Sequence, residues 1–281
     1  MYKTMIDYDR LIAEDMPYFD LTSCELGIGK ELAEITYHTR EDMVVCGTEE
    51  TEEIFRRLGI ETIMTHPSGS RLAAGSEIMK GRGPAYNVII AWKTCQNILD
   101  HTSGIATKTA KFVESVHNVN PDIAVLTTRK MFPGTRQLTI KGIMAGGAHP
   151  HRLGGSETIL IFEQHLNLIG GIDVFLEKLP EMKRNCCEKK ILFETADPDL
   201  SLKLLGMGVD GIQIEKLSPE DLVTFCNTIR AEYPDALLLA AGGINEKNAA
   251  EYAHASINGI VTTSLYTAKP VDIGTRIKKA L

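Results

Sequence analysis

The stretch TTRKMFPGTRQLTIKGIMAGGAHPHRLGG holds the densest set of side chains able to do chemistry. Between Arg129 and Arg152 lie five cationic side chains (Arg129, Lys130, Arg136, Lys141, Arg152), two histidines (His149, His151) and no acid. The whole chain carries a formal charge of −7, so everything outside that window sums to −12. A cationic concentration inside an acidic protein is where an anionic ligand would bind. Arginine offers carboxylate or phosphate a planar fork, and lysine offers a point charge. A solvated basic helix face would show the same composition. His149-Pro150-His151 makes an incomplete metal site by itself, since no cysteine or carboxylate lies close enough in sequence to complete a ligand set.

Two acids and a glycine pair join this group. Glu194 closes the apolar run KKILFET and Glu215 closes GIQIE. If both runs are strands of one parallel barrel, the carboxylates emerge on the same face as Arg129 and Lys130, which follow the run DIAVLTT. Carboxylates beside cations can hold a divalent metal through water or stabilise positive charge on a sugar ring. The alternative is a pair of strand-end glutamates neutralised by lysines, with Lys216 next to one and Lys189 and Lys190 opening the other strand. Ala241-Gly242-Gly243-Ile244-Asn245 follows the run ALLLA. Glycines there let backbone N–H groups approach a phosphate, although a tight turn needs glycine for its own geometry.

Positioning these residues takes an α/β scaffold. From residue 121 onward the runs DIAVLTT, TILIF, KKILFET, GIQIE, ALLLAAGGI and NGIVTT recur, with helical patterns in most gaps. Near-continuous apolar strands alternating with helices predict a parallel sheet buried on both faces. Six such units, tight glycine-bearing connections and no G-x-G-x-x-G predict a barrel, an incomplete one included. The first third reads as mixed α/β with antiparallel character. AEITYHTR alternates as a strand, Thr48 is placed as a helix cap before EETEEIFRRLG, and Pro84 opens a long helix interrupted only at Ser103-Gly104. A glycine inside a helix costs about 1 kcal/mol relative to alanine, which close packing against another backbone would explain.

Composition narrows the classes of function. With 281 residues, 43% hydrophobic and 24% charged, the chain suits two domains or one large α/β unit. Its acidity argues against wholesale binding to nucleic acid or anionic membrane. No apolar run approaches the roughly 18 residues of a membrane span, and MYKTMIDYDRLIAEDM has acids where a signal peptide would be apolar. A cytoplasmic protein with six free thiols is expected, since no C-x-x-C occurs.

TTRKMFPGTR, GGAHPHRLGGSETILIFEQH, FETAD, IQIEKL and AAGGIN, with the earlier HTSGIATKTAKFV, closely resemble the quinolinate phosphoribosyltransferase (nicotinate-nucleotide pyrophosphorylase) family. The wording of EDMPYFDLTS, CGTEE, AWKTCQN and SLYTAKP resembles that family's ModD branch, associated with molybdenum transport. The resemblance implies an N-terminal α/β sandwich (1–110) and a C-terminal incomplete α/β barrel of parallel strands (111–281), with a final helix free to pack back on the first domain. It also implies a homodimer in which one subunit's sandwich covers the other's barrel mouth. The implied activity is Mg²⁺-dependent transfer of phosphoribose from phosphoribosyl pyrophosphate to a small-molecule acceptor. By the same resemblance Arg129, His151 and Arg152 hold the acceptor's carboxylates, Lys130 contacts the donor, Glu194 and Glu215 serve the metal and the ribose, and Gly242 and Gly243 cradle phosphate.

Departures from the pattern bear on the acceptor. The arginine that the family sends across the dimer is His101, the lysine of its Lys-Asp-Asn-His segment is Phe162, and a serine at the glycine turn is Ala241. Glu163 and Gln164 replace the following Asp and Asn, and His165 is kept. Two cationic acceptor contacts are lost or weakened. At roughly 1.5–3 kcal/mol each, they lower dicarboxylate affinity by orders of magnitude. The expected acceptor is less charged than quinolinate or has an apolar edge toward Phe162. The rival reading is a non-catalytic protein that holds molybdate or another anion in the same pocket.

Overall fold

The computed structural model describes residues 1–280. Asp7 and Asp20 cap the first two helices, α1 (Tyr8–Asp15) and α2 (Leu21–Leu26), with their carboxylates accepting from backbone N–H groups of the first turn. Next come β1 (Leu32–Thr39), β2 (Met43–Val44), α3 (Thr48–Arg57), β3 (Glu61–Thr65), β4 (Arg71–Leu72) and β5 (Glu77–Pro84). A 33-residue helix, α4 (Ala85–His117), leads to β6 (Ala124–Thr127), α5 (Arg136–Ala145), β7 (His149–Pro150) and β8 (Ile159–Ile161). Then follow α6 (Glu163–Ile169), α7 (Ile172–Asn185), β9 (Ile191–Glu194), α8 (Pro198–Gly206), β10 (Gly211–Glu215) and α9 (Pro219–Glu232). The chain continues through β11 (Leu237–Ala241), α10 (Ala249–Tyr252) and β12 (Gly259–Thr262) to β13 (Ile273–Lys279).

These elements form two compact units. One comprises residues 1–111, 131–148 and Leu265 onward, and the other residues 112–130 and 149–264. The first is built on an antiparallel sheet of order β13-β1-β5-β3. Its core gathers Ile35, Tyr37, Phe55, Ile78, Met79, Val88 and Leu99, all fully buried. The last element is a strand, not the expected helix. IGTRIKK alternates, so Thr275 and Ile277 pair with Tyr37 and Ile35 while Arg276 and Lys278 stay outside.

Two local expectations about helices are revised. Thr48 is the first helical residue and not the cap. The cap position belongs to Gly47 at φ +94°, where a Cβ would lie 2.7 Å from Thr102 Oγ1. Helix α4 runs unbroken through Ser103-Gly104. A Cβ on Gly104 would overlap the carbonyl oxygen of Lys269, so the glycine does mark close approach to another backbone.

The basic window also divides. Lys141 is fully buried in α5, and its ammonium donates to Glu50 at 2.7 Å and pairs with Glu49 at 2.8 Å, both on α3. Burial opposes ionisation of Glu49, but the bonds from Lys141 and Ser68 outweigh it and hold that carboxyl at about 2. Lys141 therefore ties helices of the first unit together, and Arg136 opens α5 in that unit. Arg129, by contrast, lies in the second unit.

The second unit is a sheet of seven parallel strands in the order β7-β6-β12-β11-β10-β9-β8. β7 and β8 end the order without pairing to each other, which makes this an open barrel. Leu160, Leu192, Leu239 and Val261 fill one cluster along it. All six cysteines are free. Among the described residues no helix is long and apolar enough to cross a membrane.

Candidate functional site

Parallel strands deliver whatever follows their last residue to one rim, and here that rim surrounds a cavity of about 800 Å³. Arg129 and Lys130 follow β6, Glu194 ends β9, Glu215 ends β10, and the Gly242-Gly243 turn follows β11; all line the cavity. His151 and Arg152 enter just beyond β7, and Phe162 and His165 beyond β8. These ten residues, all singled out in the sequence, thus share one cavity in the second unit. His101 is exposed on α4 and belongs to the first unit. His149, also exposed, does not line the cavity.

The charges are arranged by sign. Glu194 accepts a hydrogen bond from the Gln213 side-chain amide. Burial raises the Glu194 carboxyl above its ordinary value; the Gln213 bond opposes this, the charge on Glu215 adds to it, and Lys130 opposes it. The two acids therefore sense each other. Glu215 pairs with Lys216 at 3.1 Å, the neighbour that a purely structural reading would have chosen. His151 is held below its ordinary pKa by burial and by Arg152, so it stands neutral at pH 7. Its Nε2 is buried with no hydrogen-bond partner, and so is Gln213 Oε1. Native interiors pair the large majority of such atoms with protein or ordered water, so both present unused hydrogen-bonding capacity in the cavity lining.

Aromatic rings line the cavity beside Arg152. The Arg152 guanidinium lies 5.9 Å from the Phe162 ring centroid, and the His165 ring sits 5.6 Å from Phe162 at a 34° tilt. The Phe162 N–H donates to His165 Nδ1 at 3.0 Å, which leaves Nε2 as the protonated nitrogen of the neutral ring. Hydroxyls brace the opposite rim. Thr128 and Thr263 share a 2.9 Å hydrogen bond across β6 and β12, and Lys130 N donates to Thr128 Oγ1.

Sequence reasoning missed Gln213 and the Thr128–Thr263 pair, and read Lys216 only as a counter-charge to Glu215. Gln213 carried a usable signal as the one polar side chain inside the run GIQIE, where burial demands partners. The threonines carried none, because Thr is common at strand ends.

Among the described residues no set of three or more His, Cys, Asp or Glu side chains is arranged to hold a metal alone. Mg²⁺ seldom uses such a cage; it takes one or two carboxylates with waters and substrate phosphates. Glu194 and Glu215, two mutually sensed carboxylates beside cations, fit that donor set.

An open parallel barrel with a cavity lined by both cations and carboxylates at its strand ends defines an α/β-barrel protein with its site at the strand ends. Residues 18–103 match the N-terminal domain of quinolinate phosphoribosyl transferase and residues 105–276 its C-terminal domain, so the chain belongs to the quinolinate phosphoribosyltransferase family. It is 34% identical over 240 residues to a protein of Rhodobacter capsulatus named as the pyrophosphorylase ModD, covering 85% of this chain and 92% of the relative. A Pasteurella multocida protein of the same name is 31% identical over 279 residues, 99% of each chain. The human nicotinate-nucleotide pyrophosphorylase (carboxylating) is 25% identical over 264 residues, 93% of this chain and 87% of the relative. The solved nicotinate-nucleotide pyrophosphorylase of Ehrlichia chaffeensis superposes with a TM-score of 0.87 at 23% identity, covering 98% of this chain and 100% of its own. That of Francisella tularensis gives 0.86 at 22%, covering 97% and 98%. Those two likenesses are of fold.

Proposed function

We propose that this protein is a phosphoribosyltransferase of the pyrophosphorylase type, acting on a flat heteroaromatic acceptor less charged than quinolinate. The observation that carries the reading is the gathering of Lys130, Glu194, Glu215 and Gly242-Gly243 with Arg129, Arg152 and Phe162 around one cavity.

In the proposed reaction an acceptor ring nitrogen bonds to C1 of the ribose as the C1–oxygen bond to pyrophosphate breaks, and pyrophosphate leaves with the electron pair. Lys130 and the glycine turn hold donor phosphates. Glu194 and Glu215 face the ribose carbon, where positive charge develops, and preorganised carboxylates stabilise it without reorganising. Arg129 and Arg152 orient an acceptor carboxylate, His151 offers a neutral hydrogen bond, and Phe162 supports the ring face. Holding both reactants in line supplies much of the rate. Mg²⁺, held by Glu194 and Glu215 with the donor, would neutralise charge on the departing pyrophosphate. A homodimer, with His101 meeting the partner's acceptor site, belongs to the same proposal and rests on family membership.

The test is pyrophosphate release from phosphoribosyl pyrophosphate and Mg²⁺ across a panel of heteroaromatic mono- and dicarboxylates. Turnover of a monocarboxylate well above quinolinate supports the reading. Efficient turnover of quinolinate refutes the acceptor argument, and release with no acceptor refutes the transferase.

A further inference from the structure

Lys216 is the one non-glycine residue at positive φ among the described residues, at +62°. That conformation crowds a Cβ, and residues with one are held there where the surroundings over-determine it, often at functional sites. Here the surroundings do so. The Lys216 N–H donates to Ala241 O at 2.9 Å, continuing the pairing of β10 with β11 one residue past the strand. The stem then lies against the glycine turn: a Cβ on Gly242 would fall 2.7 Å from Lys216 Cγ and 3.0 Å from its backbone nitrogen. Gly242 (φ +87°) is thus glycine for Lys216 as well as for its own backbone. At Gly243 (φ +77°) a Cβ would meet nothing within 4 Å, so that side of the turn is open.

The ammonium itself is exposed in the cavity and, among the described residues, pairs with Glu215 at 3.1 Å, whose side chain is also partly exposed. An exposed pair of this kind contributes little to stability and exchanges readily. A strained backbone held for a weak surface pair is poorly explained as a stability device.

We propose that Lys216 is an additional anion-binding residue, which leaves Glu215 to clamp a phosphate or pyrophosphate group seated at the Gly242-Gly243 turn. The proposal builds on the transferase reading in its choice of donor, but its chemistry requires only a phosphate-bearing ligand. It would add a cation to the donor side while the acceptor side has lost cations.

The test compares wild type with Lys216→Met, which keeps the stem and removes the charge, and with Lys216→Gly, which also removes the Cβ. Each is titrated calorimetrically with inorganic pyrophosphate and with phosphoribosyl pyrophosphate, both with Mg²⁺, and each is melted. Lys216→Met is expected to weaken both ligands at least tenfold with an unchanged melting temperature. Lys216→Gly is expected to weaken them equally while melting about 2 °C higher, because strain is relieved. Unchanged affinities in Lys216→Met overturn the proposal and leave the transferase reading standing. If wild type binds pyrophosphate but not the phosphoribosyl donor, and Lys216→Met loses it, the clamp stands and the transferase reading falls. Wild type binding neither ligand overturns both.

Discussion

The guanidinium of Arg152 lies over the ring of Phe162 at 5.9 Å, so one cation of the cavity is seated on an aromatic face. The π face supports Arg152 where burial and the Arg129 charge disfavour it and Glu157 and Glu194 attract it. Phe162→Lys would place an ammonium beside this guanidinium and remove the apolar support. The expected outcome is at least a tenfold fall in KM for quinolinate, since one charged contact is worth roughly 1.5–3 kcal/mol, together with weaker use of apolar-edged monocarboxylates. Steady-state kinetics on both acceptors checks it. An unchanged preference would place the acceptor elsewhere.

The charge of Glu215 should show in the titration of Glu194. Burial raises the Glu194 carboxyl, and the charge of Glu215 raises it further. Its carbon-13 resonance, assigned by loss in Glu194→Gln, should titrate above an ordinary glutamate. In Glu215→Gln the midpoint should move toward lower pH. A midpoint that stays where it was would separate the two acids.

Asp100, on α4 in the first unit, makes stability depend on pH. Burial lifts its carboxyl from 3.8 to about 6, and Oδ1 is buried with no hydrogen-bond partner. The folded state therefore holds this proton more tightly than the unfolded chain, and stability falls as pH rises from about 4 through about 6. Asp100→Asn should be more stable at pH 8 by on the order of 1 kcal/mol, the figure being reduced for partial exposure, with the gain gone at pH 4. Urea unfolding at the two pH values reads this directly, and an equal gain at both would contradict it.

Gly104→Ala separates helix propensity from packing. Propensity alone favours alanine by about 1 kcal/mol. The Lys269 carbonyl leaves no room for the methyl, so the substitution should destabilise by about 1–3 kcal/mol in chemical denaturation. A stabilised variant would mean that the two segments can part without cost.

Strand–helix rhythm made the open barrel legible, because apolar runs buried on both faces leave few other architectures. The same rhythm puts Glu194, Glu215 and the glycine turn on one rim, where the structure has them. Charge density misled where Lys141 was concerned: a lysine that neutralises Glu49 and Glu50 inside the first unit looks, in sequence, like any other cation of the window. Thr48 misled because a cap depends on backbone dihedrals, and Gly47 supplies them. The strand at the carboxyl end was present as alternation in IGTRIKK but was overshadowed by an expected helix. Lys216 could not be weighed, because its left-handed backbone is set by contact with Gly242 from another strand.

The central claim is that the cavity recognises a phosphoribosyl donor and not a bare oxyanion. Calorimetric titration of the wild-type protein with phosphoribosyl pyrophosphate and Mg²⁺, set beside titration with molybdate, tests it most directly. The account predicts saturable donor binding that Arg152→Ala preserves and Lys130→Ala weakens at least tenfold, with no saturable heat from molybdate. Tight molybdate binding with no donor binding would contradict it.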